Sequence, residues 1–170
     1  IWIIRIIPEV SVVGRYDMWL PGNQSINTFT GFLKPDPEIT LTIPSATDKA
    51  ISVGAYDTST DKVATFSGRG FTRENNQIKP DIVAPGVNIR SAATGGGTTV
   101  LSGTSMATPF VTGSAALMME WGIVRGNDPY LYGEKIKAYL IRGAKHLPGY
   151  EQWPNKQAGW GALCLRDSLV

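Results

Sequence analysis

The stretch Leu101-Ser-Gly-Thr-Ser-Met-Ala-Thr-Pro-Phe110 leads into the longest charge-free, apolar-rich run of the 170-residue chain, around positions 106–119. Gly103, two residues before Ser105, allows the backbone to turn sharply out of a strand. Ser105 is then expected at the N-terminus of a helix over 105–121. Ala107, Phe110, Val111, Ala115, Ala116, Leu117 and Met118 cover nearly every face of that helix, and no charge appears before Glu120. A helix apolar all round is expected to be buried all round. Pro109 is expected in the first turn, where a missing N–H costs nothing. At such a terminus the unpaired N–H groups and the positive end of the helix dipole favour an oxyanion forming beside the hydroxyl. That is a setting for a nucleophile. Serine is also a preferred N-cap, so local chemistry alone leaves both roles open.

Working outward, 50–56 and 81–84 read as buried strands ended by turn chemistry. Over 134–142, Ile136, Tyr139 and Leu140 form one stripe while Lys135, Lys137 and Arg142 are expected to face water. Gly143 supplies the stop. Before position 47 no helical period survives. Segments 1–7, 11–13, 16–20, 29–33 and 39–43 read as short strands punctuated by Pro8, Pro21-Gly-Asn23 and Pro35-Asp-Pro37. A boundary is expected near Thr47, with 1–46 and 47–170 as separate parts. There is no internal repeat.

Composition narrows the function classes. A chain that is 42% hydrophobic and 18% charged is not a disordered tail. Sixteen Lys and Arg against fourteen Asp and Glu leave a net charge of +2 with no basic run, too weak a field to argue for nucleic acid or an anionic membrane. The single cysteine, Cys164, excludes an intrachain disulfide and a thiolate metal cluster. One histidine, His146, and the dispersed Asp57, Asp61 and Asp81 give no metal-site pattern, so neither metal nor cofactor is expected. Gly95-Gly-Gly-Thr-Thr99 lacks the lysine ending of a phosphate loop and reads as a flexible turn. No segment reads as a membrane span or a signal peptide. The opening apolar run without an initiator Met reads as the start of a fragment or of a processed product.

Gly103-Thr-Ser-Met-Ala-Thr-Pro109 resembles the nucleophile motif of the subtilisin-like serine proteases, the subtilases. Its neighbours agree in family order: Ala50-Ile-Ser-Val-Gly-Ala-Tyr-Asp57, Phe66-Ser-Gly-Arg-Gly70, Lys79-Pro-Asp-Ile-Val-Ala-Pro-Gly86, and finally Trp153-Pro-Asn155 with Gly159-Trp-Gly161. The resemblance covers about 44–170. Met118-Met-Glu-Trp-Gly122 and the segment 132–140 look like the clostridial branch that includes the spore-germination proteases. The resemblance implies an α/β fold: the C-terminal part of a subtilisin-like parallel sheet with packed helices, preceded by the tail of a β-rich insertion. It implies that Ser105 is the nucleophile, that its own N–H is one oxyanion donor, and that Thr104 adds a weaker contribution. It places Met106 beside the nucleophile and Thr42, Ile43 and Pro44 near the pocket for the substrate side chain. Phe110 stands where many subtilases have a histidine that is not the base.

The larger departure is absence. An activated serine needs a base within hydrogen-bond reach and an acid to orient that base. The family's Asp-Ser/Thr-Gly turn and His-Gly-Thr-His helix start do not occur; Asp57-Thr-Ser59 lacks the glycine, and His146 follows the serine in a Gly/Pro turn, where a surface role is expected. The asparagine that completes the family's oxyanion hole has one weak match, Asn23, which a Pro-Gly-Asn turn explains without chemistry. The chain is therefore expected to be the serine-bearing part of a subtilisin-like endopeptidase. A polypeptide would be its substrate, and the N-terminal part of the same protease would supply Asp and His. Alone it is expected to be inactive and to self-associate. The alternative is a non-catalytic subtilase relative serving as a binding or regulatory module; upstream Asp and His motifs would decide between them. A purely β-rich interaction fragment is disfavoured by the buried helix. One free thiol fits a bacterial cytoplasmic or spore setting, and equally a secreted enzyme without disulfides.

Overall fold

The computed structural model describes residues 3–7, 9, 10, 14, 16–21, 26 and 29–169. By its contacts the chain divides into two compact units, Ile1–Pro35 and Asp36–Val170. Among the described residues of the first unit there is no strand or helix; the residues of 1–7, 16–20 and 29–33 that are described form turns, bends and irregular backbone. The segment 39–43 likewise forms no strand. β-branched and aromatic residues raise strand propensity, but a continuous pairing ladder decides it, and no strand ladder forms among the described residues of these segments. Expected strands 11–13 and part of 1–7 lie outside the described residues.

The second unit is built on strand β1 (Val53–Asp57). The short β2 (Lys62–Val63) pairs with it antiparallel, Tyr56 opposite Val63. On its other side β3 (Ile82–Pro85) runs parallel, in the register Val53–Ile82 to Tyr56–Pro85. A single parallel bridge from Val83 to Ala162 continues the layer beyond β3. The hairpin of β4 (Ile89–Ala92) and β5 (Thr98–Leu101) forms a separate two-stranded sheet. Its turn is the glycine run of the sequence: Gly95, Gly96 and Gly97 all have positive φ (83°, 106° and 73°), a region closed to most side chains.

Helix α1 (Thr104–Met119) lies across β1 and β3 and runs on into a π-helical turn, Glu120–Val124, closed by Arg125 N–H to Glu120 C=O at 3.0 Å. Strand alternation sorts the core. Ile82 and Ala84 join Ala55, Ala107, Val111 and Met118 on the α1 side. Val83 packs with Leu147, Ala158 and Ala162 on the other. At the contact of helix and sheet the residues are small, so the backbones approach closely. A Cβ on Gly86 would stand 2.5 Å from the Ala55 methyl and 2.9 Å from the Gly103 carbonyl.

Two expectations for α1 are corrected. Its buried residues are Ala107, Val111, Ser114 and Met118, one stripe, while Phe110, Leu117 and Met119 are 42%, 52% and 47% exposed. The apolar pattern does surround the helix, but among the described residues the sheet covers only one face. Pro109 is the sixth helical residue, not part of the first turn. It removes the N–H that an α-helix would aim at the Ser105 carbonyl.

Helix α2 (Gly133–Arg142) buries Ile136 and Leu140 as its pattern predicts and ends at Gly143. Lys135 and Lys137, expected in water, are both engaged: Lys135 with Asp128, and Lys137 with Asp81. Arg142 is exposed and lies over the Tyr139 ring at 4.9 Å. A last turn, α3 (Leu165–Ser168), packs against α2. No helix of the described residues is long and apolar enough to cross a membrane.

Candidate active site

Gly103 is the N-cap of α1 and has an extended conformation, φ 159° and ψ 163°. Its N–H donates to the Gly86 carbonyl at 2.8 Å, which ties the head of α1 to the chain leaving β3. Ser105 is then the second helical residue and not the cap, so its hydroxyl is free of the capping role that the sequence left open. The side chain is exposed, and neither its hydroxyl nor its N–H, nor the Thr104 N–H, has a hydrogen-bond partner among the described residues. An exposed hydroxyl beside unpaired N–H groups at the positive end of a 16-residue helix suits a group that becomes an oxyanion's neighbour. Thr108 Oγ donates to the Thr104 carbonyl at 3.0 Å and steadies this first turn.

Ser105 opens onto a cleft of about 690 Å³ in the second unit, which Thr104 and Thr108 line beside it. Another part of its lining comes from the chain over 40–54, and forms a second wall. There Ser45 N–H closes a turn on the Thr42 carbonyl at 2.8 Å, and Thr47 N–H on the Pro44 carbonyl at 3.0 Å. Thr42 and Pro44 line the cleft; Ile43 between them does not, its side chain standing 93% exposed. Asn23 lies outside the described residues.

A buried charge cluster anchors that wall. Lys79, 1% exposed, places Nζ 2.8 Å from Asp81 Oδ2 and donates to the Ala50 carbonyl at 3.0 Å. Lys137 reaches the other carboxylate oxygen at 2.9 Å and donates to the carbonyls of Asp48 (2.7 Å) and Ala50 (3.2 Å). The Ser52 N–H completes the set, 2.6 Å from Asp81 Oδ2. Burial holds the Lys79 ammonium below its ordinary pKa; Asp81 opposes that shift and Lys137 adds to it. Asp81→Asn leaves two largely buried ammonium groups without their shared counter-charge, and its expected cost is about 3 to 5 kcal/mol. Equilibrium urea unfolding measures it; a loss below about 1 kcal/mol would show that the cluster does not hold the wall.

The remaining titratable candidates lie elsewhere. Asp57 ends β1 and accepts hydrogen bonds from Ser59, 2.9 Å from its N–H and 2.7 Å from its hydroxyl; these lower its pKa, the backbone bond first. His146 is exposed and stacks flat on Trp153, ring centroids 4.3 Å apart and 2° from coplanar. Neither lines the cleft. Among the described residues no group of three or more His, Cys, Asp or Glu could hold a metal ion. In the sequence alone Phe66-Ser-Gly-Arg-Gly70 is a family motif whose residues carry no assigned role. Four of them, Phe66, Ser67, Gly68 and Arg69, line the cleft, and Ser67 Oγ accepts the Ala55 N–H at 3.1 Å. The signal available was the motif's own place in family order.

The model of the subtilase family matches residues 19–161. The serine protease AprX of Bacillus subtilis is 36% identical over 158 residues, which cover 79% of this chain and 33% of that protein. The membrane-bound transcription factor site-1 protease of Mus musculus is 34% identical over 131 residues, 74% of this chain and 12% of that one. Among solved structures, the Clostridium perfringens CspB protease aligns with a TM-score of 0.78 at 50% identity, over 82% of this chain and 30% of that chain. The chain thus spans about a third of the length of AprX and of CspB.

Proposed function

The chain belongs to the subtilase family, and from that membership and the setting of Ser105 we propose that it is the serine-bearing part of a serine endopeptidase. The observation that carries the proposal is the unpaired Ser105 hydroxyl at the head of α1, opening on a cleft large enough for peptide side chains. In this reading Ser105 Oγ attacks the scissile carbonyl carbon while an imidazole from another part of the same protease takes the hydroxyl proton. The negative charge that forms on the carbonyl oxygen is met by the Ser105 N–H and a second donor outside the described residues. Collapse of that intermediate expels the amine, which takes the proton from the imidazolium and leaves an acyl-Ser105 ester. Water, deprotonated by the same imidazole, hydrolyses the ester and restores Ser105.

Thr42 and Pro44 would line the pocket that receives the substrate side chain, and Thr104 would add a hydroxyl near the oxyanion. The part of the protease that brings Asp and His would also cover Phe110 and Leu117 on the open face of α1. The intact surroundings of the serine favour the enzyme over a non-catalytic module of the family, and upstream Asp and His motifs would decide between the two.

The test is active-site labelling. The full-length protease should react stoichiometrically with a fluorophosphonate, and mass spectrometry should map the adduct to Ser105. A full-length protein that stays unlabelled, or is labelled elsewhere, overturns the proposal. A companion prediction concerns His146. Stacked on Trp153 and away from the cleft, it should play no part in proton transfer. His146→Ala in the full-length enzyme should leave kcat and its pH profile within about twofold of wild type, since loss of a general base costs at least 10²-fold. Steady-state kinetics across pH 5 to 9 checks this.

A further inference from the structure

The lining of the cleft beside Ser105 is almost wholly neutral. Thr40, Thr42, Ser45 and Ser52 contribute hydroxyl-bearing side chains, Phe66 a half-exposed ring, and among the described residues that line it the one charged residue is Arg69. Arg69 is half-buried, and its guanidinium has no ion pair or hydrogen bond among the described residues. Its backbone, in contrast, is fixed. The Arg69 N–H donates to Thr40 Oγ at 2.9 Å, and the Arg69 carbonyl accepts the Thr40 N–H at 2.9 Å. The glycines on both sides allow close approach: a Cβ on Gly68 would stand tightly, 3.0 Å from the Thr40 carbonyl, and one on Gly70 would collide with the Lys79 carbonyl. A rigid backbone thus presents a side chain that nothing in the described protein uses.

Guanidinium is suited to meeting a carboxylate through two parallel hydrogen bonds, and in a partly desolvated cleft such charge-assisted bonds are stronger than neutral ones. Among the described residues no acidic side chain lines the cleft to compete for it. Of the acids on the flanking segments, Glu38 is taken by Lys156 at 2.8 Å and Asp36 accepts the Glu38 N–H at 2.9 Å, while Asp48 does not line the cleft. Behind the wall, two ammonium groups, Lys79 and Lys137, share the single carboxylate of Asp81, a formal excess of one positive charge. Both observations favour an anion in this cleft, and the occupant of a protease cleft is a peptide.

We propose that Arg69 is a specificity-determining residue that selects peptides carrying an acidic side chain, Asp or Glu, in the subsite it lines. The proposal rests on the reading of the cleft as a peptide site, and goes beyond it in naming the substrate class and the residue that reads it.

The experiment separates the two by measuring binding without turnover. The full-length protein carrying Ser105→Ala is titrated against fluorescein-labelled peptides that are neutral except at one position. That position is walked through the peptide as Glu, as Gln or as Lys, and affinity is read by anisotropy. With Arg69 present, Glu should bind about 10- to 100-fold more tightly than Gln at one position. The preference should shrink as ionic strength rises. Arg69→Gln should bring the Glu-to-Gln ratio to about one. Arg69→Lys should retain part of the preference, and Arg69→Glu should favour the Lys peptide at the same position. A merely structural arginine would not produce that reversal. Equal affinity for Glu and Gln peptides at every position, a preference that survives Arg69→Gln, or no peptide binding at all overturns the proposal. Fluorophosphonate labelling of Ser105 in the parent protein stands apart from all three outcomes. Labelling with no acidic preference removes only the role of Arg69; absence of labelling removes the protease reading.

Discussion

Ser105→Ala in the full-length protease is expected to lower peptidase turnover by about 10⁶-fold, the loss that an enzyme of the subtilisin type suffers on losing its nucleophile. The fold should scarcely notice the change. The Ser105 side chain is exposed and holds no hydrogen bond among the described residues, so its removal leaves no buried partner unsatisfied. It is also not the N-cap, where truncation would cost about 1 kcal/mol; Gly103 occupies that position and no side chain caps the helix. Alanine is a better helix former than serine, so a small gain in the stability of α1 partly offsets any loss. Activity and stability should therefore separate cleanly: kcat falls by orders of magnitude while the urea midpoint stays within the error of measurement. A variant that kept a tenth of wild-type activity would show that Ser105 is not the nucleophile. A variant that lost activity only because it unfolded would show that the site has a structural role that the free hydroxyl does not reveal.

How far the sequence discloses this molecule depends on whether the partner of each element is local or distant. β1, β3, α1 and α2 were all legible, because their apolar periods and their terminating residues lie within the segment itself. The strands read into 16–20, 29–33 and 39–43 were not borne out: composition there favours strands, but a strand exists only when another pairs with it. The burial of α1 was over-read for a related reason. Periodicity shows that a face is apolar, not that something covers it, and Phe110 and Leu117 remain exposed. Lys137 failed in the opposite direction. On its own helix it belongs to the polar side, and only the tertiary fold brings Asp81 and the carbonyls of Asp48 and Ala50 to meet it. The site was legible as a motif around Ser105. The cleft beside it was not, since Thr42, Arg69 and Ser105 are far apart in sequence and only the paired segments at Thr40 and Arg69 bring those walls together.

As an isolated polypeptide, residues 1–170 are expected to resist fluorophosphonate labelling and to run larger than a monomer. The first expectation follows from proton transfer. A serine hydroxyl is a weak nucleophile until a base within about 2.6 to 3.2 Å takes its proton. The chain's single histidine is stacked on Trp153, and among the described residues no acid or imidazole lines the cleft at Ser105. The second follows from surface chemistry. Phe110 and Leu117 stand exposed along one side of α1, Met119 is exposed on another, and Val100 and Leu101 of β5 are 44% and 52% exposed. Contiguous apolar surface and unpaired strand edges drive association in water at roughly 25 cal/mol per Å² covered. Adding the N-terminal part of the protease in trans should reverse both behaviours, since that part would supply the base and cover the helix. The measurements are probe labelling read by intact mass, and size-exclusion chromatography with light scattering, each with and without that part. Stoichiometric labelling of a monodisperse monomer at neutral pH would mean that these residues hold their own base. A chain that stays unlabelled even with its N-terminal part present would instead return the question to Ser105 itself.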